Sequence, residues 1–276
     1  MKTIVITGSA RGFGFALAKC FREKNFNIVL CDLLEKDLIN AKEKLLKYKG
    51  KGDVFICQAD ITNEKDVDSL IEKSLLQFKK IDYWINNAGV NQPNKPLWEL
   101  DKKTIDRLVD IDIKGTVLCS NKIMQVMIKQ KNGQIFNVEG HGSNDAKILG
   151  LSLYGTSKRA ITYFTEALAY EAEKMNTNVL VGKITPGIMI TNFITTSLGN
   201  GEKINLDDKT KKIYNILGDY PETIAEFMTD KIINNNKNNA KFVWLTNRRA
   251  AMRFITSGFS KRDFFKDCGG VKDEIK

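Results

Sequence analysis

Tyr154 and Lys158 stand four residues apart in the run Leu153-Tyr154-Gly155-Thr156-Ser157-Lys158-Arg159-Ala160. The stretch from Gly155 to Glu173 suits a helix, with apolar positions at Ile161, Phe164 and Leu168. Helix positions four apart share a face, so the phenol and the ammonium project side by side. A neighbouring cation stabilises a phenolate and lowers its pKa from ~10 toward neutrality. A tyrosine tuned in this way can donate or accept a proton near pH 7. Alone, Tyr-x-x-x-Lys also describes an exposed pair on a surface helix, so the elements around it decide the reading.

The chain opens with a short β-branched run, Thr3 to Thr7, that reads as a buried strand. It leads into Thr7-Gly8-Ser9-Ala10-Arg11-Gly12-Phe13-Gly14, and an amphipathic segment from Phe15 to Lys24 follows. Glycines at a strand-to-helix turn let the backbone approach a diphosphate, and the helix N-terminus supplies unpaired N–H donors. The spacing is Gly-x-x-x-Gly-x-Gly, not the Gly-x-Gly-x-x-Gly of ordinary Rossmann enzymes. A second strand, Asn27 to Cys31, ends at Asp32, where a carboxylate can bond both ribose hydroxyls of an adenosine and repel a 2′-phosphate. Arg11 pulls the other way, toward a 2′-phosphate. The direct contact of Asp32 weighs more, which favours NAD(H) and leaves NADP(H) open.

The third strand, Asp53 to Ala59, runs into Asp60-Ile61-Thr62. Asp60 could accept the adenine amino group or cap the next helix through Thr62 or Asn63, and the two roles are compatible. After a helix from Glu64 to Phe78, a fourth strand, Ile81 to Ile85, ends in Asn86-Asn87-Ala88-Gly89, whose small residues would let a cofactor lie against the strand end. A loop from Pro93 to Leu100 precedes a long helical stretch, Lys102 to Lys129, that contains Asp112. Gln134 to Val138 is a fifth strand. The polar loop Glu139-Gly140-His141-Gly142-Ser143-Asn144 separates it from the Tyr154 helix. A sixth strand, Asn178 to Ile184, leads into Thr185-Pro186-Gly187-Ile188-Met189-Ile190-Thr191. Phe193 to Asp219 shows no steady period and reads as a mobile lid. Pro221 to Ile233 reads as a helix and Lys241 to Thr246 as a seventh strand.

Strands alternating with helices imply a parallel sheet covered on both faces. The expected architecture is α/β: one doubly wound Rossmann-type domain with a seven-stranded parallel sheet. Residues 1–250 would form it, including a substrate lid at 188–220, and residues 251–276 would be a basic, aromatic extension. Ligands of such sheets bind at the carboxyl ends of the strands, where all of these motifs fall.

Of the 276 residues 42% are hydrophobic, and the net charge is +10. Five cysteines, scattered with no Cys-x-x-Cys pair, and the single histidine, His141, give no metal-like cluster. They fit reduced thiols in a cytoplasmic protein. No secretory leader and no apolar run near the ~18 residues of a membrane span is expected. No recognition motif accompanies the basic excess, which argues against nucleic acid. Near the C-terminus Arg248, Arg249, Arg253, Lys261 and Arg262 interleave with Met252, Phe254, Ile255 and Phe259. That mixture suits peripheral contact with an anionic membrane, or equally an oligomer interface.

As a set, Thr7-Gly8-x-x-x-Gly12-x-Gly14, Asn86-Asn87-Ala88-Gly89, Tyr154-x-x-x-Lys158 and Pro186-Gly187 resemble the short-chain dehydrogenase/reductase family over about residues 1–250. The resemblance implies an NAD(P)(H) cofactor, a single Rossmann-type domain, and homodimers or homotetramers. It implies that Tyr154 is the acid/base and that Lys158 holds the nicotinamide ribose. Cofactor contacts would come from Gly8, Ser9, Arg11, Gly12, Phe13 and Gly14, from Asp32, Asp60 and Ile61, from Asn87, Ala88 and Gly89, and from Pro186, Gly187, Ile188 and Thr191. Two positions depart from the family. Asp112 stands where an Asn is usual. The family serine, about 13 residues before the tyrosine, falls at Gly140-His141, and Ser143 is the nearest hydroxyl. The runs Phe136 to Ser143, Tyr154 to Arg159, Thr185 to Asn192 and Phe242 to Thr246 are similar to one branch of the family, the chlorophyll(ide) b reductases.

The expected function is an oxidoreductase that moves hydride between nicotinamide and a small-molecule carbonyl or alcohol. Tyr154 would protonate the carbonyl oxygen, Ser143 would donate a second hydrogen bond to it, and Asp112 would hold a water beside Lys158. The alternative is a catalytically weakened nucleotide-binding regulator of the same fold, which Asp112 and the displaced serine support.

Overall fold

Apolar runs that do not alternate with polar residues suit strands buried on both faces. In the computed structural model, which describes residues 1–191, 207–258 and 262–265, such runs build the centre. The strands are β1 (Thr3–Thr7), β2 (Asn27–Asp32), β3 (Val54–Gln58), β4 (Tyr83–Asn86), β5 (Gly133–Val138), β6 (Val179–Thr185) and β7 (Ala240–Val243). They form one sheet in the order β3-β2-β1-β4-β5-β6-β7, and every pairing is parallel. The order reverses between β1 and β4, which opens a crevice at their carboxyl ends.

Helices cover both faces. Ile4 and Ile6 of β1 face one side, where α1 (Gly12–Glu23), α2 (Glu35–Leu46) and α8 (Pro221–Ile233) bring Leu17, Phe21, Leu38 and Met228. Val5 faces the other, against Leu70 of α3 (Glu64–Phe78), Ile123 of α5 (Thr116–Gln130) and Ala169 of α6 (Ser152–Lys174). Helix starts follow local chemistry. Asn63 caps α3 by accepting from the Lys65 N–H, and Asp101 caps α4 (Lys102–Leu108) by accepting from that of Thr104. Pro221 at the first turn of α8 needs no hydrogen-bond partner there.

Three sequence expectations are corrected. The long stretch from Lys102 is not one α-helix: between α4 and α5, Val109–Gly115 forms a π-helix. The aperiodic segment contains a helix, α7 (Asp208–Leu217), capped by Asp207, whose carboxylate accepts from the Thr210 N–H. Residues 192–206 of the expected lid lie outside the described residues. The boundary placed at residue 250 falls inside a helix, α9 (Asn247–Thr256), capped by Thr246. No described helix is long and apolar enough to cross a membrane.

Beneath the crevice the interior also holds polar and sulfur-bearing side chains. Cys31, Cys57 and Cys119 are buried free thiols and Cys20 is half-buried. Across the sheet, Asn86 Nδ2 donates to Asn137 Oδ1 (2.7 Å) and to Ser120 Oγ (2.9 Å). Trp84 Nε1 donates to Asn86 Oδ1 (2.7 Å), and Asn137 Nδ2 donates to Thr165 Oγ1 (2.9 Å). This row ties β4, β5, α5 and α6 together behind the crevice. Removing one member strands the others without partners, at about 1–3 kcal/mol for each group. Asn86→Ala is therefore expected to lower unfolding stability by roughly 2–4 kcal/mol in urea titrations, more than Ser120→Ala, which strands one donor.

Candidate active site

At the carboxyl end of β1 the chain turns through Gly8, with φ +62°, and a Cβ there would lie 2.7 Å from Ala88 Cα. Asn87 braces the turn: its Nδ2 donates to the carbonyls of Thr7 and Gly8 (both 2.9 Å). Thr7 Oγ1 accepts from the backbone N–H groups of Asn87 (3.1 Å) and Ala88 (3.0 Å). Gly14 lies under the same turn, where a Cβ would come within 2.4 Å of the Gly8 carbonyl oxygen. Gly12 differs: its φ is +59°, and an added Cβ would meet nothing within 4 Å. Gly12, Phe13 and Gly14 open α1, so their N–H groups have no partner within the helix. An open glycine beside these donors fits a diphosphate.

Ser9 does not belong to that set. Its N–H donates to the Cys31 carbonyl and its Oγ to that of Ile6, while Oγ accepts from the Cys31 N–H. It pins β1 to β2 and has nothing left for a ligand. Phe13 contributes backbone only, since its ring is in the core. Arg11 is exposed at the α1 N-cap. Asp32 ends β2 half-buried, accepting from the N–H groups of Ala10 (3.0 Å) and Leu33 (2.9 Å). Asp60 folds back on Thr62, accepting from its N–H (2.9 Å) and Oγ1 (2.8 Å), and Asn63 provides the helix cap. Ile61 packs on Gly115, where a Cβ would lie 2.7 Å from Ile61 Cδ1.

The charged centre lies where β4, the π-helix and α6 meet. Lys158 Nζ is 3.1 Å from Asp112 Oδ2, with Asp112 1% exposed and Lys158 7%. Asp112 Oδ1 accepts from the Val90 N–H (2.8 Å), and Ser157 Oγ lies 3.3 Å from Oδ2. The widened π turn carries Asp112 inward. Gly89 leaves room for it: a Cβ there would lie 3.2 Å from Lys158 Nζ and 3.3 Å from Asp112 Oδ1. Asp112 thus pairs directly with Lys158. Lys114 lies beside Asp110 on the surface (3.9 Å).

Tyr154 is 8% exposed, and Lys158 Nζ lies 5.5 Å from its ring centroid. Lys158 acts on the phenol in the expected direction, but burial outweighs it. Burial pushes the Tyr154 pKa above its ordinary 10; Lys158 opposes this, and Asp112 adds to the rise. Burial also works against the Lys158 ammonium, yet Asp112 and Tyr154 leave its pKa above the usual 10.5. The phenol is thus protonated at neutral pH beside a charged ammonium.

Gly140 closes over the phenol, and a Cβ there would lie 2.4 Å from Tyr154 Oη. Ser143 is engaged by its own loop and by α6: Oγ accepts from the Gly140 N–H (3.2 Å) and donates to the Lys158 carbonyl (3.3 Å). To donate to a substrate carbonyl it would have to give up the bond to Lys158. Burial lowers the pKa of His141, and its buried Nε2 has no hydrogen-bond partner. Sequence reasoning missed Gln92, which is buried and whose Oε1 accepts from the Tyr154 N–H (2.8 Å). Its amide also reaches the Gly150 carbonyl, tying the loop after β4 to the start of α6. A lone glutamine in a loop carries no motif that could have revealed this.

Beyond β6, Pro186 is buried and Gly187 (φ +77°) approaches Leu245, which a Cβ would meet at 2.8 Å. The backbone of Ile188 and Ile190 pairs with Asp219. Thr191 is the last described residue before 207. Among the described residues no His, Cys, Asp and Glu are grouped as a metal site requires.

A nucleotide-binding sheet whose carboxyl edge carries a buried Tyr–Lys pair defines a class, and comparison with known proteins agrees: residues 2–200 match the short chain dehydrogenase family, and the chain belongs to it. It is 32% identical over 232 residues to the chloroplastic chlorophyll(ide) b reductase NOL of Arabidopsis thaliana, covering 83% of this chain and 64% of that one. It spans between half and two thirds of the length of the curated plant reductases it matches. Among solved structures, levodione reductase superposes with a TM-score of 0.80 at 21% identity, covering 91% of this chain and 98% of that one. The 3-ketoacyl-(acyl-carrier-protein) reductase of Brucella melitensis, complexed with NADH, gives 0.73 at 22%, covering 88% and 96%.

Proposed function

We propose that this protein is a nicotinamide-dependent carbonyl reductase in which Tyr154 gives its phenol proton to the substrate oxygen. The observation that carries this is the buried Tyr154, kept protonated at neutral pH with Lys158 at hand to stabilise the phenolate left behind. A raised phenol pKa suits an acid in reduction better than a base in oxidation. The two Arabidopsis thaliana relatives are named chlorophyll(ide) b reductases, the second as a probable one.

The open turn at Gly12, the first-turn N–H groups of α1 and the Asp32 carboxylate would hold an adenosine diphosphate. Gly89, Lys158 and the segment after Pro186 would border the nicotinamide. When bound, that cofactor supplies the hydride. Everything else is the work of this chain: Asp112 keeps Lys158 charged, Gly140 admits the phenol, and Gln92 fixes the first turn of α6 that carries it. The loops joined by Gln92 and Gly150 expose Leu97 and Trp98 on one side and Ile148 and Leu149 on the other, which supports a bulky, apolar carbonyl compound. Tyr163 and Tyr170, exposed on α6, support a homodimer or homotetramer. The weakened-regulator alternative loses ground, because Asp112 is spent on holding Lys158 in place.

Tyr154→Phe is expected to abolish nearly all NADH oxidation in a screen of carbonyl compounds while leaving NADH binding within about threefold, since the phenol moves a proton and does not hold the nucleotide. Turnover retained in that variant would refute the mechanism. NADH should bind at least about tenfold more tightly than NADPH, because Asp32 would face the 2′-phosphate; the reverse order would mean that Arg11 governs. In alcohol oxidation the rate rises with pH as Tyr154 ionises, and Asp112→Asn removes an anion that raises the phenol pKa, so this rising limb of the pH–rate profile should move to lower pH. A move to higher pH would contradict this electrostatic assignment.

A further inference from the structure

The segment after Pro186 makes few bonds within itself. Pro186 has no N–H, and Gly187 adopts φ +77°. The neighbouring residues are held from outside: Ile188 O accepts from the Asp219 N–H (3.0 Å), and the Ile190 N–H donates to Asp219 O (3.0 Å). Asp219 therefore acts as a one-residue strand along this segment. Its side chain, in a residue only 6% exposed, carries three further bonds. Oδ1 accepts from Arg262 Nη2 (2.6 Å), and Oδ2 from Arg253 Nη2 (2.7 Å) and Trp244 Nε1 (2.6 Å).

Both guanidiniums also cap the end of α7. Arg253 donates to the Leu217 carbonyl (2.9 Å) and Arg262 to that of Gly218 (2.6 Å). Phe264 packs edge-on against Tyr220 at 5.0 Å, and its N–H donates to Asn215 Oδ1 (2.9 Å). Arg249 stacks on Trp244 at 3.8 Å and donates to the Trp244 carbonyl (2.7 Å). Three of the basic residues expected to face an anionic membrane are thus turned inward, onto the protein. Phe259 and Lys261 of that set lie outside the described residues.

We propose that Asp219, clamped by Arg253 and Arg262, is the positioning residue of the nicotinamide side of the site, so that these two arginines support the wall of the active site. This rests on the reading that residues 186–191 border the nicotinamide. A buried carboxylate with two guanidiniums is costly to disturb from either side, because loss of one partner leaves charge unpaired. Loosening the clamp frees the two backbone bonds that fix Ile188 and Ile190. None of the hydrogen bonds or ion pairs given above for the clamp runs to β1, α1 or β2, which would hold the adenosine half.

The test compares two ligands that differ only at the end in question: NADH and ADP-ribose, which lacks the nicotinamide. Dissociation constants are measured by calorimetry for the unaltered protein and for Asp219→Asn, Arg262→Ala and Arg262→Lys. The clamp predicts that Asp219→Asn and Arg262→Ala weaken NADH about tenfold and ADP-ribose less than about twofold, with Arg262→Lys recovering most of the NADH affinity. Equal weakening of both ligands, or a lowered melting temperature with both affinities unchanged, would make the cluster a general structural tie and overturn the proposal. Failure of the unaltered protein to bind either nucleotide would sink the oxidoreductase reading, and this inference with it.

Discussion

An ammonium sealed in a protein interior survives only beside a counter-charge, and the Lys158–Asp112 pair sets the terms for the rest of the site. Each neighbouring feature serves that requirement. The π turn brings the carboxylate inward, Gly89 leaves room for both charges, and the Val90 N–H saturates the oxygen that Lys158 does not reach. Ser157, one residue before the lysine, lies against the same carboxylate. The pair joins the π-helix to α6 directly, and the Val90 N–H ties the stretch after β4 to the same carboxylate. The Tyr154 phenol lies beside it, under Gly140.

The same pair explains why the phenol titrates high. Lys158 acts on Tyr154 as a cation whose field Asp112 partly cancels, and burial then dominates. Spacing alone assigns the lysine a simple acidifying effect, because it shows two residues on one helix face. It does not show the carboxylate arriving from another element.

Much else is legible in the sequence because it rests on local pattern. The seven strands and their parallel order follow from apolar runs separated by helical periods, and α3 and α8 begin and end where their caps and periods place them. The glycine turn, the Asn87 brace and the Tyr154–Lys158 spacing are short-range signals. The features that escape a sequence reading are long-range. Ser9 and Ser143 look like ligand hydroxyls in a linear motif, yet both are spent on the backbone of another segment or of their own loop. Asp219 and Arg262 are 43 residues apart, and nothing in either neighbourhood predicts that they meet. Helix α7 is short, under three turns, and the aperiodic stretch read together with it masks its own pattern.

The four described cysteines lend the molecule a property unrelated to its chemistry. Burial pushes the Cys20 thiol up to about 11 and that of Cys119 to about 12, and it raises those of Cys31 and Cys57 as well. Thiolate is the form that reacts with alkylating and oxidising agents, so the raised pKa values slow these sulfurs in the folded state, and Cys31, Cys57 and Cys119 are buried as well, whereas Cys20 is half-buried. They sit in α1, β2, β3 and α5, spread over much of the domain. Each becomes more reactive when its own layer opens. The native chain therefore carries a set of built-in reporters, whose order of modification would record which part of the sheet comes apart first.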